Sequence, residues 1–257
     1  MEIFLVCFTA FAASILTFFS GFGLGTLLTP VFMLFFDAEL AIALTGIVHF
    51  FNNLMKLVLV GKHADKSVLV RFGIPAVIAA LFGSYLMIRF TSLKSLFQYS
   101  FNEKIIEVFP LKFMVAVLLI IFSLMELIPY FKKLSFNKKY LPFGGMLSGF
   151  FGGLSGNQGA LRAAFLIKAG LSKEAFVGTA VVVSSFVDFT RLGIYATHIK
   201  SSHLNESIFL VVAATLSAMT GAFIGNKLFR KITLNMVQNI VALFLLLVSV
   251  LLALGIV

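Results

Sequence analysis

The sequence predicts an all-α fold: a polytopic transmembrane helix bundle of about eight spans in two repeated halves, each with a glycine-broken helix. Three observations predict it. Hydrophobic residues make up 60% of the 257 and charged residues only 12%, against roughly 45–50% and about 25% in an ordinary globular domain. Apolar stretches of span length, about 20 residues, succeed one another along the chain. Glycine-rich interruptions recur at corresponding places in the two halves. A soluble domain of this size cannot bury so much apolar surface. The composition therefore argues against a soluble enzyme, a disordered chain or a nucleic-acid binder, and makes the bilayer the natural solvent.

The first apolar run, Ile3 to Ser20, carries no charge. It meets Gly21-Phe22-Gly23-Leu24-Gly25 and continues through Thr26 and Pro30 to Phe36. As one helix this would be about 50 Å long at 1.5 Å per residue, longer than a membrane is thick, so the glycines break or fold it. Asp37 and Glu39 mark a loop. Leu40–Val60 is a second span, with His49, Asn52, Asn53 and Lys56 inside it. Gly61–Ser67 is a short basic loop, and Val68–Phe90 a third span with Arg71 and Pro75 near its start. Thr91–Pro110 is polar and amphipathic and reads as an interfacial connector; Leu111–Tyr130 is a fourth span. Lys132, Lys133, Lys138 and Lys139 then form the most basic loop, near mid-chain. Leu141–Ala169 holds the second break, with Gly149, Gly152, Gly153, Ser155, Gly156 and Gly159. Glu174–Thr197, Glu206–Phe229 and Leu234–Val257 complete the count.

The net charge of +10 fits the basic bias of cytoplasmic loops better than it fits a nucleic-acid partner. The single Cys7 supplies no disulfide framework or thiol metal site. Glu2 stands where a signal peptide would be positive, and the apolar run outlasts signal-peptide length, so no cleaved leader is expected. The pattern predicts a multi-pass protein of the cell (inner or plasma) membrane, compatible with a homo-oligomer. With eight simple spans, the four-lysine loop, the Gly61–Ser67 loop and both termini share the cytoplasmic side, which leaves Lys227, Arg230 and Lys231 outside.

The halves align in order. Leu40–Thr45 matches Glu174–Thr179, Phe51–Leu57 matches Phe186–Leu192, Ala80–Gly83 matches Ala218–Gly221, and Gly21–Pro30 corresponds to about Ser155–Ala164. This gives a first repeat over 1–131, a basic cytoplasmic linker over 132–140 and a second repeat over 141–257. Four spans per half favour parallel repeats, and a re-entrant segment in each half would make them inverted. Repeated halves with glycine interruptions at matching positions point to a transporter's binding site.

The candidate site follows from these breaks. An unwound segment at membrane depth leaves backbone N–H groups that must line a cavity or a partner, and a half-helix N-terminus suits an anion. Gly21, Gly23, Gly25 and Thr26 supply the first break; Ser155, Gly156, Asn157, Gln158 and Gly159 supply the second. His49, Asn53 and Lys56 share one helical stripe at spacing i, i+4, i+7, and Ser184, Asp188 and Arg191 repeat that spacing. Ionisable groups within a span mark a functional pathway. Arg162 follows the second break by three residues, where a planar guanidinium can grip an oxyanion bidentately. Lys56, Arg162 and Arg191 are thus substrate-binding candidates, and Asp188 and His49 are candidates for ion coupling. Glu126, Arg71 and Lys168 read as interfacial anchors. No Walker loop, zinc spacing or catalytic triad is present, and Ser155 lacks the strand a nucleophile elbow needs. No cofactor, no metal and no enzymatic activity are expected.

The residues resemble a known family at this point. Gly21-x-Gly23-x-Gly25-x4-Pro30, the second glycine-rich break and the two four-span halves look like the TauE/SafE sulfite exporter family over nearly the whole chain. Phe151–Arg162, Gly170–Ala175 and Val187–Arg191 resemble one branch closely. The chain departs from the commoner pattern at Leu24, where glycine is frequent, and at Arg162 and Ala164, which replace a glycine-proline pattern. The resemblance implies a secondary carrier of small anions such as sulfite, thiosulfate or organosulfonates, driven by an ion gradient, with the motif glycines and the following half-helix forming the site. Two other readings compete. An uncoupled anion channel would show no steep dependence on the proton gradient. A membrane-embedded sulfur-relay subunit is disfavoured by the lone Cys7.

Overall fold

The computed structural model describes residues 2–20, 24–101, 104–132, 135–198, 201–228 and 234–256. Their helices are α1 (Glu2–Ser20), α2 (Leu24–Phe32), α3 (Ala38–Val60), α4 (Lys66–Val68), α5 (Ile74–Thr91), α6 (Pro110–Leu127), α7 (Pro129–Lys132), α8 (Leu141–Ser155), α9 (Gly159–Leu166), α10 (Lys173–Tyr195), α11 (Ser201–Leu228) and α12 (Leu234–Ala253). Among the described residues, four continuous helical stretches are long and apolar enough to cross a membrane: Ala38–His63, Lys66–Thr91, Lys173–Tyr195 and Ser207–Lys227. Shorter apolar helices cover Glu2–Thr17, Pro110–Met125 and Ala242–Ala253.

Local chemistry sets the boundaries. The Asp65 carboxylate accepts from the Val68 amide at 2.8 Å and the Ser172 hydroxyl from the Ala175 amide at 3.2 Å, which caps α4 and α10. Pro110 and Pro142 stand at helix starts, where the missing N–H costs nothing. Pro75 lies inside a longer helix, and the turn before it, Leu69–Gly73, widens to a π-helix that joins α4 to α5.

The two glycine breaks reverse the chain. After α8, Gly156 takes a left-handed conformation (φ +79°) that ends the helix. The chain then turns through Asn157 and Gln158, and α9 runs back beside α8. The Ser148 hydroxyl donates to the Gln158 carbonyl at 3.2 Å. Farther from the tip, Phe165 faces Gly144 and stacks on Phe136 at 4.3 Å. In the first half, the start of α1 (Glu2, Ile3) and the segment after α2 (Met33–Asp37) line one vestibule of about 860 Å³, so α2 also returns to the end where α1 began. The sequence was open on this point, since each break could continue or fold a span. Both fold into hairpins.

Backbone-to-backbone contact holds the hairpins in the bundle. α8 packs on α5 with the two running in the same direction: Gly145, Gly149 and Gly153 abut the carbonyls of Phe72, Ala76 and Ala80, and a Cβ on any of them would overlap that oxygen. Small residues allow this approach where no solvent drives helices together. α1 packs on α11 in the same manner, with Gly221 against the Phe11 carbonyl. α3 crosses α10 antiparallel: Gly178 sits by Val60, Asp188 by Asn53 and His49, and Arg191 by Gly46. α6 packs on α12.

Two expectations are corrected. Thr91–Pro110 is no plain connector but contains a β-hairpin, β1 (Phe97–Phe101) and β2 (Lys104–Val108), with Phe97 opposite Val108. Alternating Phe97, Tyr99 and Phe101 are strand formers, and the Tyr99 hydroxyl donates to the Leu254 carbonyl. The chain ends also fall elsewhere. The start of α1 and Gly255 line the same vestibule as Asp37 and Lys112, at the opposite end of α3 from the Gly61–His63 turn. Two reversals instead of two crossings move both termini away from the basic loops.

Replacing Gly149 by Val places a side chain on the Ala76 carbonyl and should destabilise the protein by about 3 kcal/mol or more. Gly193→Ala has open space and should be neutral or slightly stabilising. Thermal unfolding of both variants in detergent checks the α5–α8 contact.

Candidate functional site

The polar interior lies where α3 crosses α10 and the α8–α9 tip comes in. On α3, Thr45, His49, Asn52, Asn53 and Lys56 are all buried; on α10, Thr179, Ser184, Asp188 and Arg191 are too. The two stripes face each other because the remaining faces of both helices are apolar and pack against lipid or neighbouring helices.

Asp188 is fully buried, and its carboxylate is the hub. One oxygen, Oδ2, accepts from Asn53 Nδ2 at 2.8 Å and lies 2.6 Å from His49 Nδ1. A carboxylate at that distance assigns the ring proton to Nδ1, which donates to it. The other oxygen, Oδ1, accepts from Arg191 Nε at 3.0 Å and lies 2.9 Å from Arg191 Nη2. One carboxylate therefore ties a histidine and an asparagine of the first half to an arginine of the second.

Arg191 reaches the hairpin tip. Its Nη1 lies over Gly156, so close that a Cβ there would stand 2.6 Å away. Nη1 finds no carboxylate or carbonyl among the described residues. Gly46 of α3 faces the same guanidinium, where a Cβ would lie 3.4 Å from its Cζ. At the tip, the Ser155 hydroxyl donates to the Phe151 carbonyl at 3.1 Å and accepts from Asn157 Nδ2 at 3.3 Å. The Gln158 side-chain amide is buried, with neither end hydrogen-bonded among the described residues. The other hairpin meets this tip: a Cβ on Gly25 would lie 3.1 Å from the Gly156 carbonyl oxygen and 3.6 Å from the Thr45 methyl. Gly25 and Thr26 open α2 and are buried. Gly21 and Gly23 lie outside the described residues.

Arg162 sits one turn into α9, which Gly159 begins, and donates to the Ser184 hydroxyl. It lies near enough to Asp188 and Lys56 for their charges to interact. The Asn52 amide, oriented with its nitrogen towards the Ala218 carbonyl (3.1 Å), accepts from Lys56 Nζ at 3.3 Å. Lys56 and Arg191, aligned in sequence, stand on opposite sides of Asp188: Arg191 is level with Gly46, ten residues from Lys56 along α3, or about 15 Å. The stripe thus orders cations along the bundle axis, with Lys56 and Arg162 towards the Gly61–His63 end and Arg191 beyond Asp188.

Some members escaped the sequence reading. Tyr195, whose hydroxyl donates to the Gly153 carbonyl, continues the Ser184–Asp188–Arg191 stripe by one turn. Thr45 precedes His49 by one turn, and Asn52 and Ser14 join α3 to α1 at 3.0 Å. The stripe spacing could have found Thr45 and Tyr195; nothing in the sequence pairs Ser14 with Asn52. Among the described residues, no group of three or more His, Cys, Asp or Glu could hold a metal ion.

Removing Asp188 strands buried cations. Asp188→Ala should cost about 3–5 kcal/mol, and the double variant Asp188→Ala/Arg191→Ala should cost less than the two single losses summed. Denaturant unfolding in micelles measures both.

The sequence matches the family described as Sulfite exporter TauE/SafE over residues 6–252. No curated protein and no solved structure matched it. The match covers nearly the whole chain, and the protein belongs to the TauE/SafE family, a family of membrane exporters.

Proposed function

We propose that this TauE/SafE chain is a secondary transporter that exports a small sulfur-containing anion, such as sulfite, thiosulfate or an organosulfonate, driven by an ion gradient. The observation that carries the reading is the buried meeting of the Gly156 tip with Gly25 at the start of α2, in an interior that holds Lys56, Arg162, Arg191 and the Asp188 carboxylate. An anion leaving water needs its hydration replaced by positive groups and N–H donors. Lys56, Arg162 and Arg191 supply charge; the segments around Gly25–Thr26 and Ser155–Gly159 supply backbone donors and the Asn157 and Gln158 amides.

In this reading the chain consists of two halves, 1–131 and 141–257, joined by a basic linker at 132–140 and related by inversion. Each half is one re-entrant hairpin followed by three spans. The antiparallel crossing of α3 and α10 supports it, as does the reciprocal packing of α1 on α11 and α8 on α5. Inversion also gathers Lys62, Lys66, Lys138, Lys139, Lys168, Lys173 and Lys227 at one end. At the other end Glu2 and Asp37 line the vestibule together with a single cation among the described residues, Lys112. The basic end is then cytoplasmic, and the membrane is the cell membrane.

Asp188 and His49 couple the ion to the anion. The ionised carboxylate holds Arg191; a proton on it weakens that hold and frees the guanidinium for the anion. Proton and anion occupancy are therefore linked, and flux responds to a pH gradient.

Efflux from proteoliposomes loaded with a panel of labelled anions, with and without an imposed pH gradient, tests the proposal; no efflux of any oxyanion would reject it. Arg162→Ala should abolish efflux while the protein still folds, and Arg162→Lys should restore little of it, because a point charge lacks the bidentate fork. Asp188→Asn should keep anion binding and lose the response to the pH gradient. An unchanged response in that variant moves the coupling role to another group, beginning with His49.

A further inference from the structure

We infer that the groove between the π-helical start of α5 and the middle of α10 holds an acyl chain of an anionic phospholipid, whose phosphate is met by Lys66 and Arg71. This site stands apart from the polar interior, because Ser184 and Asp188 occupy the opposite face of α10.

The groove has a volume of about 340 Å³. Leu69, Gly73 and Val77 line one wall, and Val182, Val183 and Phe186 line the other. Every further residue that lines it is apolar as well. Its shape follows from local sequence. The Leu69–Gly73 turn widens to a π-helix before Pro75. Gly73 brings no side chain to the floor, where a Cβ would lie 3.4 Å from Val183 Cγ2. Val70, Ile74 and Phe186 on the rim are each more than half exposed, so the groove opens on the outside of the bundle. At membrane depth such an opening faces lipid, and a hydrocarbon chain is the occupant that an apolar groove accepts there.

Depth and charge select the rest of that lipid. Both helices rise from the same end, because Gly178 of α10 sits by Val60 and Ala64. The groove runs from Leu69 to Ile78, about 15 Å along the helix. That is half of a hydrocarbon core about 30 Å thick, so the groove spans one leaflet, the one on the Gly61–His63 side. Lys66 precedes Leu69 and Val70 by three and four residues, one turn below them on the same face. Arg71 flanks the groove and is exposed. Among the described residues, neither forms an ion pair with a carboxylate. Of the acidic residues at this end, Asp65 caps α4, and Glu174 is set against His63 and Lys173. Long basic side chains near a helix end reach up to headgroup level. Two of them at the mouth of a groove that takes an acyl chain favour a headgroup of net negative charge, each by about fivefold.

The chain contains no tryptophan, so a single introduced indole reports on its own surroundings. Phe186→Trp places one on the groove rim. Phe244→Trp places one on the exposed face of α12 as a control. The full-length protein is reconstituted in phosphatidylcholine vesicles, and a rising fraction of the lipid is replaced by phosphatidylglycerol or phosphatidylcholine with brominated chains, which quench indole fluorescence on contact. In Phe186→Trp, half-maximal quenching is expected at an at least fivefold lower fraction of brominated phosphatidylglycerol than of brominated phosphatidylcholine. In Phe244→Trp the two fractions should agree within about twofold. Adding Lys66→Gln and Arg71→Gln should bring the groove position down to the control. Equal quenching by the two lipids at the groove overturns the proposal. So does the same preference at both positions, which would be general attraction to a basic surface. Quenching by neither lipid at the groove, with the control still quenched, also overturns it and assigns the groove to contact with a second copy of this chain. Native mass spectrometry of the unsubstituted protein, mixed with equal amounts of the two lipids, gives the same decision without a variant: phosphatidylglycerol retained no better than phosphatidylcholine rejects the site.

Discussion

The charge network that ties α3 to α10 depends on the carboxylate of Asp188. It is fully buried, and it joins two helices that lie 139 residues apart in the chain at its contact with His49. A single charge in an apolar medium would be prohibitive. A charge with two oxygens, each accepting from donors, is stable only while all those donors stay in place. Gly46 lets α3 lie close to α10: a Cβ there would press on Leu192 Cδ2 at 3.1 Å and touch the Arg191 guanidinium at 3.4 Å. Gly156 must be glycine twice over, for its left-handed backbone and because the same guanidinium lies over it. Tyr195 then ties the end of α10 to the Gly153 carbonyl, one turn before the tip. The charge network and the broken helix are one device.

The hairpins supply what the network requires from the backbone. A helix ended inside a membrane exposes carbonyls and amides that lipid cannot satisfy. Here the α8–α9 tip is covered by protein: the Gly156 carbonyl by Gly25 of the opposite hairpin, and α8 by α5 along Gly145, Gly149 and Gly153. Those glycines bring the two backbones into contact, which removes the volume that lipid or water would otherwise occupy. The same small residues that let the helices approach also make the interior intolerant of added side chains.

Much of this was legible in the sequence, and the failures have physical reasons. The apolar runs located the long apolar helices of α3, α5, α10 and α11, because a bilayer imposes their length. The stripes His49–Asn53–Lys56 and Ser184–Asp188–Arg191 were visible because helical spacing puts them on one face. What spacing cannot reveal is direction. Gly21–Gly25 and Ser155–Gly159 read equally well as a kink within a span or as a reversal, since glycine permits both. Reading them as crossings put both termini beside the Gly61–Ser67 loop and left Lys227 stranded on the wrong side. Direction also decides whether Lys56 and Arg191, matched in the alignment, stand together or apart; with α3 and α10 antiparallel they stand apart. The β-hairpin at Phe97–Val108 was hidden by its charges, which suit an interfacial segment of either structure.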